Sequence, residues 1–314
     1  MTKRYRVYSD FLKEKYGEKV YRIPISLPLT CPNRDGEIGS GGCTFCADVG
    51  AGFESFEGCV PIKDQIGSNK EYIGRRFNAK KFIAYFQNYT NTYTSPESLR
   101  EYLSEALGDD IVEIAISTRP DAISDEYLQI IDEVRKKGVQ ISIELGLQTV
   151  NYHTLKRVNR GHSLAEFIDA VLRIKRYGFE VCAHMILNLP GDDMDDVLEG
   201  AKILSALGVD GVKLHSLYIA TGSIMADEYE KGDVDIVGLE EYVKRVCEFL
   251  RHASKDMVVQ RIIGRAPEEN TLFCNWNTSW WKIKDMIESY LEENDIHQGD
   301  KCDYLNGKAL GKWK

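Results

Sequence analysis

The apolar runs of this chain are all broken within about ten residues, whereas a helix that crosses a membrane needs roughly twenty. The opening Met1-Thr2-Lys3-Arg4-Tyr5-Arg6 is basic, but Ser, Asp, Lys and Glu follow it in place of the apolar core of a secretory signal. A cytoplasmic location with no membrane partner is therefore expected. Positive charge is also short: 40 Lys and Arg stand against 49 Asp and Glu, a formal net charge of −9, which excludes a uniformly basic nucleic-acid surface. Basic residues cluster only locally, at Lys3, Arg4, Arg6, Lys13, Lys15, Lys19 and Arg22, at Arg75, Arg76, Lys80 and Lys81, and at Lys156, Arg157 and Arg160. Each cluster alone reads as a solvated face, although contact with phosphate stays open. A disulfide framework is missing too, since eight scattered cysteines in 314 residues fit reduced thiols. Cys182, Cys247, Cys274 and Cys302 have no close partner in sequence, and ordinary packing is expected of them.

What is present is concentrated in one loop, residues 29–53, LTCPNRDGEIGSGGCTFCADVGAGF. It holds Cys31, Cys43 and Cys46 directly after a strand-like run. The two-residue gap between Cys43 and Cys46 lets both sulfurs turn toward one centre, and glycines at 36, 39, 41 and 42 let the longer segment fold back to bring in Cys31. Thiolates bind both iron-sulfur clusters and zinc. On a cubane of four irons, three thiolates leave one iron open to a non-protein ligand. Structural zinc takes four protein ligands, and Cys59 would complete such a set. Spacing alone leaves both open.

A hydrophobic content of 43% supports one large core, hence one main domain with an appendage. Helical spacing over 5–16 ends at Gly17. Strand-like runs then recur at 20–27, 81–87, 111–117, 139–147, 179–189 and 209–219, separated by helical stretches at 95–107, 124–138, 163–177 and 194–207. This is the rhythm of parallel βα units, about six of them, too few for an eight-unit barrel. The fold class is therefore α/β, an open or partial (β/α)6 barrel over residues 21–223, preceded by an N-terminal helix within 1–20. A C-terminal extension, 224–314, carries helices at 238–253 and 279–293 and an edge strand at 258–263. Trp276, Trp280 and Trp281 read as core packing of the last helix, though stacking on a base stays open. Loops after the strands of such a barrel converge on one rim. There lie Gln87, Thr118, Arg119, Asp121, Glu144, Gln148 and Asn188. A carboxylate inside the strand Ile143-Glu144-Leu145 carries a desolvation cost, so Glu144 has either a function or a nearby Arg or Lys.

Together with that loop, the segments RRFNAKKFIAYFQNYTNTY, STRPDAIS, IELGLQT, VNRGHS, AHMILNLPGD and VKLHSLYIATGS stand in an order that resembles the radical S-adenosylmethionine superfamily. The resemblance is to its YhcC/YtqA-type branch, related to the elongator catalytic subunit. It implies a TIM-like partial barrel in which Cys31, Cys43 and Cys46 hold a 4Fe-4S cluster whose open iron chelates S-adenosylmethionine. It further implies that Gln87 receives the methionine amino group, and that Thr118, Arg119, Glu144, Gln148 and Arg160 contact ribose, carboxylate and adenine. The implied activity is reductive cleavage of the cofactor followed by hydrogen abstraction, with an electron donor such as flavodoxin or ferredoxin. The implied substrate is tRNA, whose wobble 5-carboxymethylaminomethyluridine would lose its carboxymethyl group. Arg119 or Arg157 is the expected receptor for that carboxylate, and His184 or His162 the expected proton-transfer group, each histidine having a structural role as its alternative. A small-molecule substrate such as a tetrapyrrole, and a zinc-stabilised binding module, are the competing expectations. The chain departs from the family pattern at 25–29, Ile-Ser-Leu-Pro-Leu, and at Asn188.

Overall fold

The structure is a computed structural model that describes residues 3–46, 60–264 and 270–313. Cys59 and the end of the cysteine loop lie outside the described residues. Helix α1 (Tyr8–Tyr16) stops where Gly17 turns left-handed at φ 76°. There follow β1 (Val20–Ile25), α2 (Ile62–Phe77), β2 (Lys81–Phe86), α3 (Pro96–Glu105), β3 (Ile111–Thr118), α4 (Asp125–Arg135) and β4 (Gln140–Gln148). Next come α5 (Tyr152–Arg157), α6 (Leu164–Arg176), β5 (Glu180–Ile186), α7 (Met194–Ala206) and β6 (Gly211–His215). The chain continues through β7 (Tyr218–Ala220), α8 (Ile224–Lys231), α9 (Leu239–His252), β8 (Val258–Arg261), β9 (Thr271–Cys274) and α10 (Trp280–Glu293).

β1 to β6 pair in chain order, and β8 joins as the seventh strand, every pair parallel. The six βα units expected from the sequence are thus extended by one strand, and the edge strand expected at 258–263 lies in the main sheet. The expected long sixth strand is two: β6 ends at His215, and β7 pairs antiparallel with β9 in a separate sheet. Asn188 fixes that break by accepting a hydrogen bond from the Leu217 amide at 2.7 Å. Helices α2, α5 and α8 carried little periodic signal. α2 buries only Ile62, Gln65 and Ile66, and Gln65 is held by polar bonds to both backbone groups of Ser26.

Alternation along the strands sorts side chains into two environments. Ile141, Ile143, Leu145 and Leu147 of β4 join the large core beneath the helices, as do Val181 and Ala183 of β5 and Val212 and Leu214 of β6. The opposite faces point into the barrel and are polar: Arg22, Tyr85, Glu113, Ser117, Ser142, Glu144, His184 and Lys213. Helix α1 plugs the lower end, where Leu12 packs with Val20, Ile83 and Ala115. Beside that plug, Glu113 takes bonds from Tyr16 at 2.6 Å, Ser142 at 2.7 Å and Lys15 at 3.2 Å. The lead-in to α1 lies along β8, the Val259 amide donating to the Arg6 carbonyl at 2.8 Å. The open side of the barrel is spanned by Arg22 of β1, which donates to Gln260 of β8 at 2.7 Å. The tryptophans divide: Trp276 and Trp280 pack against the core, while Trp281 is exposed.

Candidate cluster and cofactor site

The cysteine loop is tied down before any ligand is considered. Two tight turns, Arg34 N to Cys31 O at 2.8 Å and Cys46 N to Cys43 O at 2.9 Å, set the cysteines. The loop is then laced to the turn after α5. Thr44 N donates to Val158 O at 3.0 Å, Asn159 Nδ2 to Gly42 O at 2.8 Å, and Asn33 Nδ2 to Asn159 O at 2.6 Å. From the far side, Met225 N of α8 donates to Thr44 O at 2.9 Å. Close approach demands glycine at two places. A Cβ on Gly39 would stand 2.6 Å from Asn33 Oδ1, and one on Gly161, where φ is +78°, 2.9 Å from the same oxygen and 3.1 Å from Arg119 Nη2.

Three arginines surround the thiols. Arg160 Nη1 lies 3.5 Å from Cys43 Sγ, while Nη2 donates to Gly146 O at 2.6 Å. Arg34 donates to Cys46 O at 3.3 Å. Burial pushes the Cys46 thiol up, against the pull of Arg34 and Arg160. Arg119 is buried, with Nε and Nη2 both engaged by Asp121 at 2.9 and 2.7 Å. Arg119 Nη1, Arg160 Nε and Asn33 Oδ1 are buried without a hydrogen-bond partner. A buried polar group left unpaired costs about 1–3 kcal/mol, so the two arginine N–H groups mark a place for an anionic acceptor, and Asn33 Oδ1 a place for a donor such as an ammonium group.

That donor set fits a cluster bearing an amino-acid ligand better than it fits zinc. Sulfurs around one zinc stand about 3.8 Å apart. Among the described residues, the one set of three or more such ligand atoms within 4.8 Å of one another is Glu144, Cys182 and His184, and the three loop cysteines form no second set. Sulfurs on three different irons of a cubane are spread more widely. The Glu144, Cys182 and His184 set is itself ill suited to a cation, because Lys213 Nζ sits 2.5 Å from the Glu144 carboxylate and burial pushes the Cys182 thiol up.

The other expected site residues divide into those near the loop and those within the barrel. Gln148 holds a left-handed φ of 77° at a register shift between β4 and β5, a strained geometry at the rim. Gln87 follows β2, its amide on Ile25 O at 3.3 Å. The Thr118 hydroxyl meets that of Thr92 at 2.6 Å and so ties the loop after β2 to that after β3. Arg157 is exposed and donates to Asp233 O at 3.2 Å. The bidentate edge of Arg119 expected to receive a substrate carboxylate is taken by Asp121, which leaves one nitrogen. His162 is lodged between the carbonyls of Gly146 and Ser163, 3.2 and 3.1 Å away, a structural position.

Glu144 is the hub of a network inside the barrel. Arg22 donates to Oε1 at 2.7 Å; Lys213, Tyr85, His184 and Ser117 reach Oε2 at 2.5, 2.8, 2.9 and 3.3 Å. Burial alone would raise its pKa, but Arg22 and Lys213 outweigh burial and hold the carboxyl well below its usual range. Burial, and then Lys213, push His184 down to about 4, so its imidazole is neutral at pH 7 and Nε2 carries the proton toward Glu144. Burial, and then Arg22, push Lys213 down to about 8. Both alternatives weighed from the sequence bear on Glu144: it is paired with Arg and Lys, and the pairing lies directly below the rim. Tyr85, Lys213 and Gly146 went unnoticed in the sequence, because nothing local distinguishes an inward residue of a buried strand from a core one, and Asn33 did because its partner, Asn159, lies 126 residues away.

Two family models cover most of the chain, the radical SAM superfamily over residues 34–204 and the Radical_SAM C-terminal domain over 209–293. Uncharacterized protein YtqA of Bacillus subtilis is 35% identical over 298 residues, 95% of this chain and 92% of that one. The tRNA uridine(34) acetyltransferase of Methanocaldococcus jannaschii is 27% identical over 207 residues, 64% of this chain and 36% of that one. Among solved structures, Methanocaldococcus infernus Elp3 superposes with a TM-score of 0.65 at 17% identity, covering 89% of this chain and 64% of that one. Such membership implies a 4Fe-4S cluster and S-adenosylmethionine, and the zinc module expected as an alternative gives way. A curled seven-stranded parallel sheet, three cysteines collared by arginines and these matches together place the chain in the radical SAM superfamily, in the YtqA-type family related to elongator.

Proposed function

We propose that the protein modifies the wobble uridine of tRNA, converting 5-carboxymethylaminomethyluridine, water and one S-adenosylmethionine to 5-aminomethyluridine, glyoxylate, methionine and 5′-deoxyadenosine, with Cys31, Cys43 and Cys46 as cluster ligands. One observation carries the cofactor half of this reading: beside the thiols, Arg119 and Arg160 each keep one buried nitrogen, Nη1 and Nε, without a hydrogen-bond partner. When bound, the cluster and S-adenosylmethionine supply reductive carbon–sulfur cleavage and hydrogen-atom abstraction from a substrate. The chain's own part is to hold and to exclude water. Arg160, braced on Gly146 O, and Arg119, braced by Asp121, receive the methionine carboxylate, and Gln87 the amino group. Gln148, held in its strained turn, faces the nucleoside, and Thr118 keeps the two neighbouring loops in register. Glu144 acts from below by fixing His184 and Lys213, and His184 is the proton-transfer group. For the substrate half, the support is the resemblance to enzymes of uridine 34, together with exposed Tyr152, Lys156 and Arg157 on α5, next to the turn that holds the cysteine loop. An electron donor such as flavodoxin or ferredoxin completes the system.

Protein reconstituted without oxygen is expected to hold about four irons and four sulfides per chain and to release 5′-deoxyadenosine on reduction. Mass spectrometry of tRNA nucleosides from a deletion strain is expected to show the carboxymethylaminomethyl nucleoside accumulating. An unchanged profile removes the tRNA assignment and leaves the cofactor assignment untouched.

Gly146→Ala tests the cofactor pocket. A Cβ there would lie 2.7 Å from Arg160 Nη2 and 2.9 Å from Gln148 Nε2. Overpacking of this size costs about 1–3 kcal/mol, so the fold is expected to survive while the KM for S-adenosylmethionine rises about tenfold or more. An unaltered KM would separate Arg160 from the cofactor.

A further inference from the structure

We infer that the last turn of α2, with the residues leading into β1 and β2, forms a second RNA-binding surface that grips backbone phosphates of a double-helical arm of the substrate tRNA. The inference rests on the tRNA reading for the identity of the partner, and on side-chain placement for the existence of the surface.

Helix α2 runs back down the outside of the sheet from the rim, so its last turn meets the beginning of the strand it follows. Phe77 stacks there on Tyr21, with ring centroids 5.1 Å apart and planes at 19°. Phe77 is nonetheless 44% exposed, and Tyr72 60%. Arg76 is ordered against both rings: its guanidinium carbon lies 5.4 Å from the centre of Phe77 and 6.0 Å from that of Tyr72, and Nη1 donates to the Tyr72 hydroxyl at 2.7 Å. A guanidinium held in this way loses little freedom when it meets an anion. Asn78, left-handed at φ 51°, ends the helix, and the chain enters β2 through Lys80. Val20 and Lys81 are partners in the sheet register, so Lys19 and Lys80, each one residue earlier, start neighbouring strands about 5 Å apart. Both are exposed.

The acids of this area are already engaged. Glu71 pairs with Arg75 at 2.5 Å, Glu18 with Lys81 at 3.1 Å, and Asp110 with Lys70. Asp109 is exposed on the turn before β3, beyond β2 from this surface. Among the described residues Arg76, Lys19 and Lys80 have no carboxylate partner, and they lie together on a chain whose net charge is −9. Local positive excess of this kind, with aromatic faces interleaved, suits a polyanion that presents phosphates in series and needs no deep pocket.

Two positions narrow the partner. Tyr152, Lys156 and Arg157 of α5 stand at the rim, whereas Lys19 and Lys80 stand at the opposite end of strands that are six residues long in β1 and β2, a rise of about 20 Å. A partner that touches both ends is long and stiff. An RNA stem whose loop enters the barrel mouth meets that requirement, and A-form RNA is recognised through its backbone and shape. An acidic electron donor would match the charge, but it has to approach the cysteine loop, which lies at the other end of β1.

Arg76→Gln, Lys80→Gln protein, reconstituted with its cluster, tests the surface. Both side chains are exposed, so the thermal midpoint is expected to match the wild type's. Titrated with an unmodified tRNA transcript across a range of salt, the wild type is expected to bind with log K falling linearly in log salt. The double variant is expected to bind about tenfold more weakly near physiological salt, with a slope smaller by about 2. Lys282→Gln, Lys284→Gln on α10 removes the same charge elsewhere and is expected to bind like the wild type. A wild-type slope in the Arg76, Lys80 variant, or an equal loss in the α10 control, overturns the surface. Release of 5′-deoxyadenosine with flavodoxin as reductant is expected to be equal in wild type and variant. A variant that loses this release yet keeps its tRNA affinity assigns the surface to the electron donor and overturns the RNA inference. If the nucleoside profile of a deletion strain is unchanged while binding still depends on Arg76 and Lys80, the surface stands and the wobble-uridine reading falls. If the profile changes while the variant binds like the wild type, the surface alone falls.

Discussion

Cys43→Ala protein reconstituted without oxygen is expected to hold little iron and to release 5′-deoxyadenosine only at background. Removing a residue that merely orients a ligand costs about 10–100-fold in metal affinity or activity, and removing a ligand costs more. Cys43 is the buried member of the trio, the thiol touched by Arg160 at 3.5 Å and by Asn33 Nδ2 at 3.8 Å. Its loss removes one partner from each, leaving Arg160 on Gly146 O and Asn33 on Asn159 O. Arg160→Met, by contrast, keeps all three thiols and is expected to lose about 10–100-fold, chiefly through KM for the cofactor. Cys247→Ala is the control. That thiol is buried in α9, with a bond to Ile287 O at 3.8 Å, and iron content is expected to stay at the wild-type level. Full iron in Cys43→Ala would move the cluster elsewhere and take the cofactor assignment with it.

Glu144→Leu is expected to destabilise the fold by about 3–5 kcal/mol, because it leaves Arg22 and Lys213 buried without their counter-charge. Adding Lys213→Met is expected to restore part of the loss, so the double variant should be more stable than the sum of the two single changes implies. Additive denaturation midpoints would mean that the network shares no energy. The same hub sets the acid response. Glu144's folded pKa lies well below 4.5, so its stabilisation is complete above that value and is lost as pH falls through the folded pKa. His184's folded pKa, about 4, lies below the unfolded 6.5, so the unfolded chain binds more protons between these values and stability falls with pH there too. Both act in one direction. Urea midpoints are expected to drop from pH 7 to pH 4 in the wild type and to drop less in the Glu144→Leu, His184→Leu double variant.

The parallel strands and most of their helices were legible because caps and periodicity are local. Gly17 ends α1 where helical spacing stopped, and Ser95 and Ser163 cap α3 and α6 where the helical stretches at 95–107 and 163–177 began. The split after His215 was not legible. It depends on the Asn188 side chain reaching a backbone amide 29 residues on, and an apolar run gives no sign of such a contact. Helix α2 escaped for the opposite reason, since its stability comes from docking a few residues and its polar remainder shows little periodicity.

Within the site, the sequence by itself determined the chemistry on offer: three thiols at a spacing that allows convergence, glycines to let them converge, and a carboxylate costly enough in a strand to require partners. It did not determine which partners. Arg22, Tyr85, Ser117, His184 and Lys213 meet Glu144 from five strands, and only closure of the sheet brings positions so far apart in the chain to one height. The same closure carried Arg261 into line with Lys213, whereas the Arg119 edge is engaged locally, by Asp121 two residues on. Side-chain type is written residue by residue, whereas register and curvature belong to the whole sheet, and the electrostatics of the barrel interior follow from them.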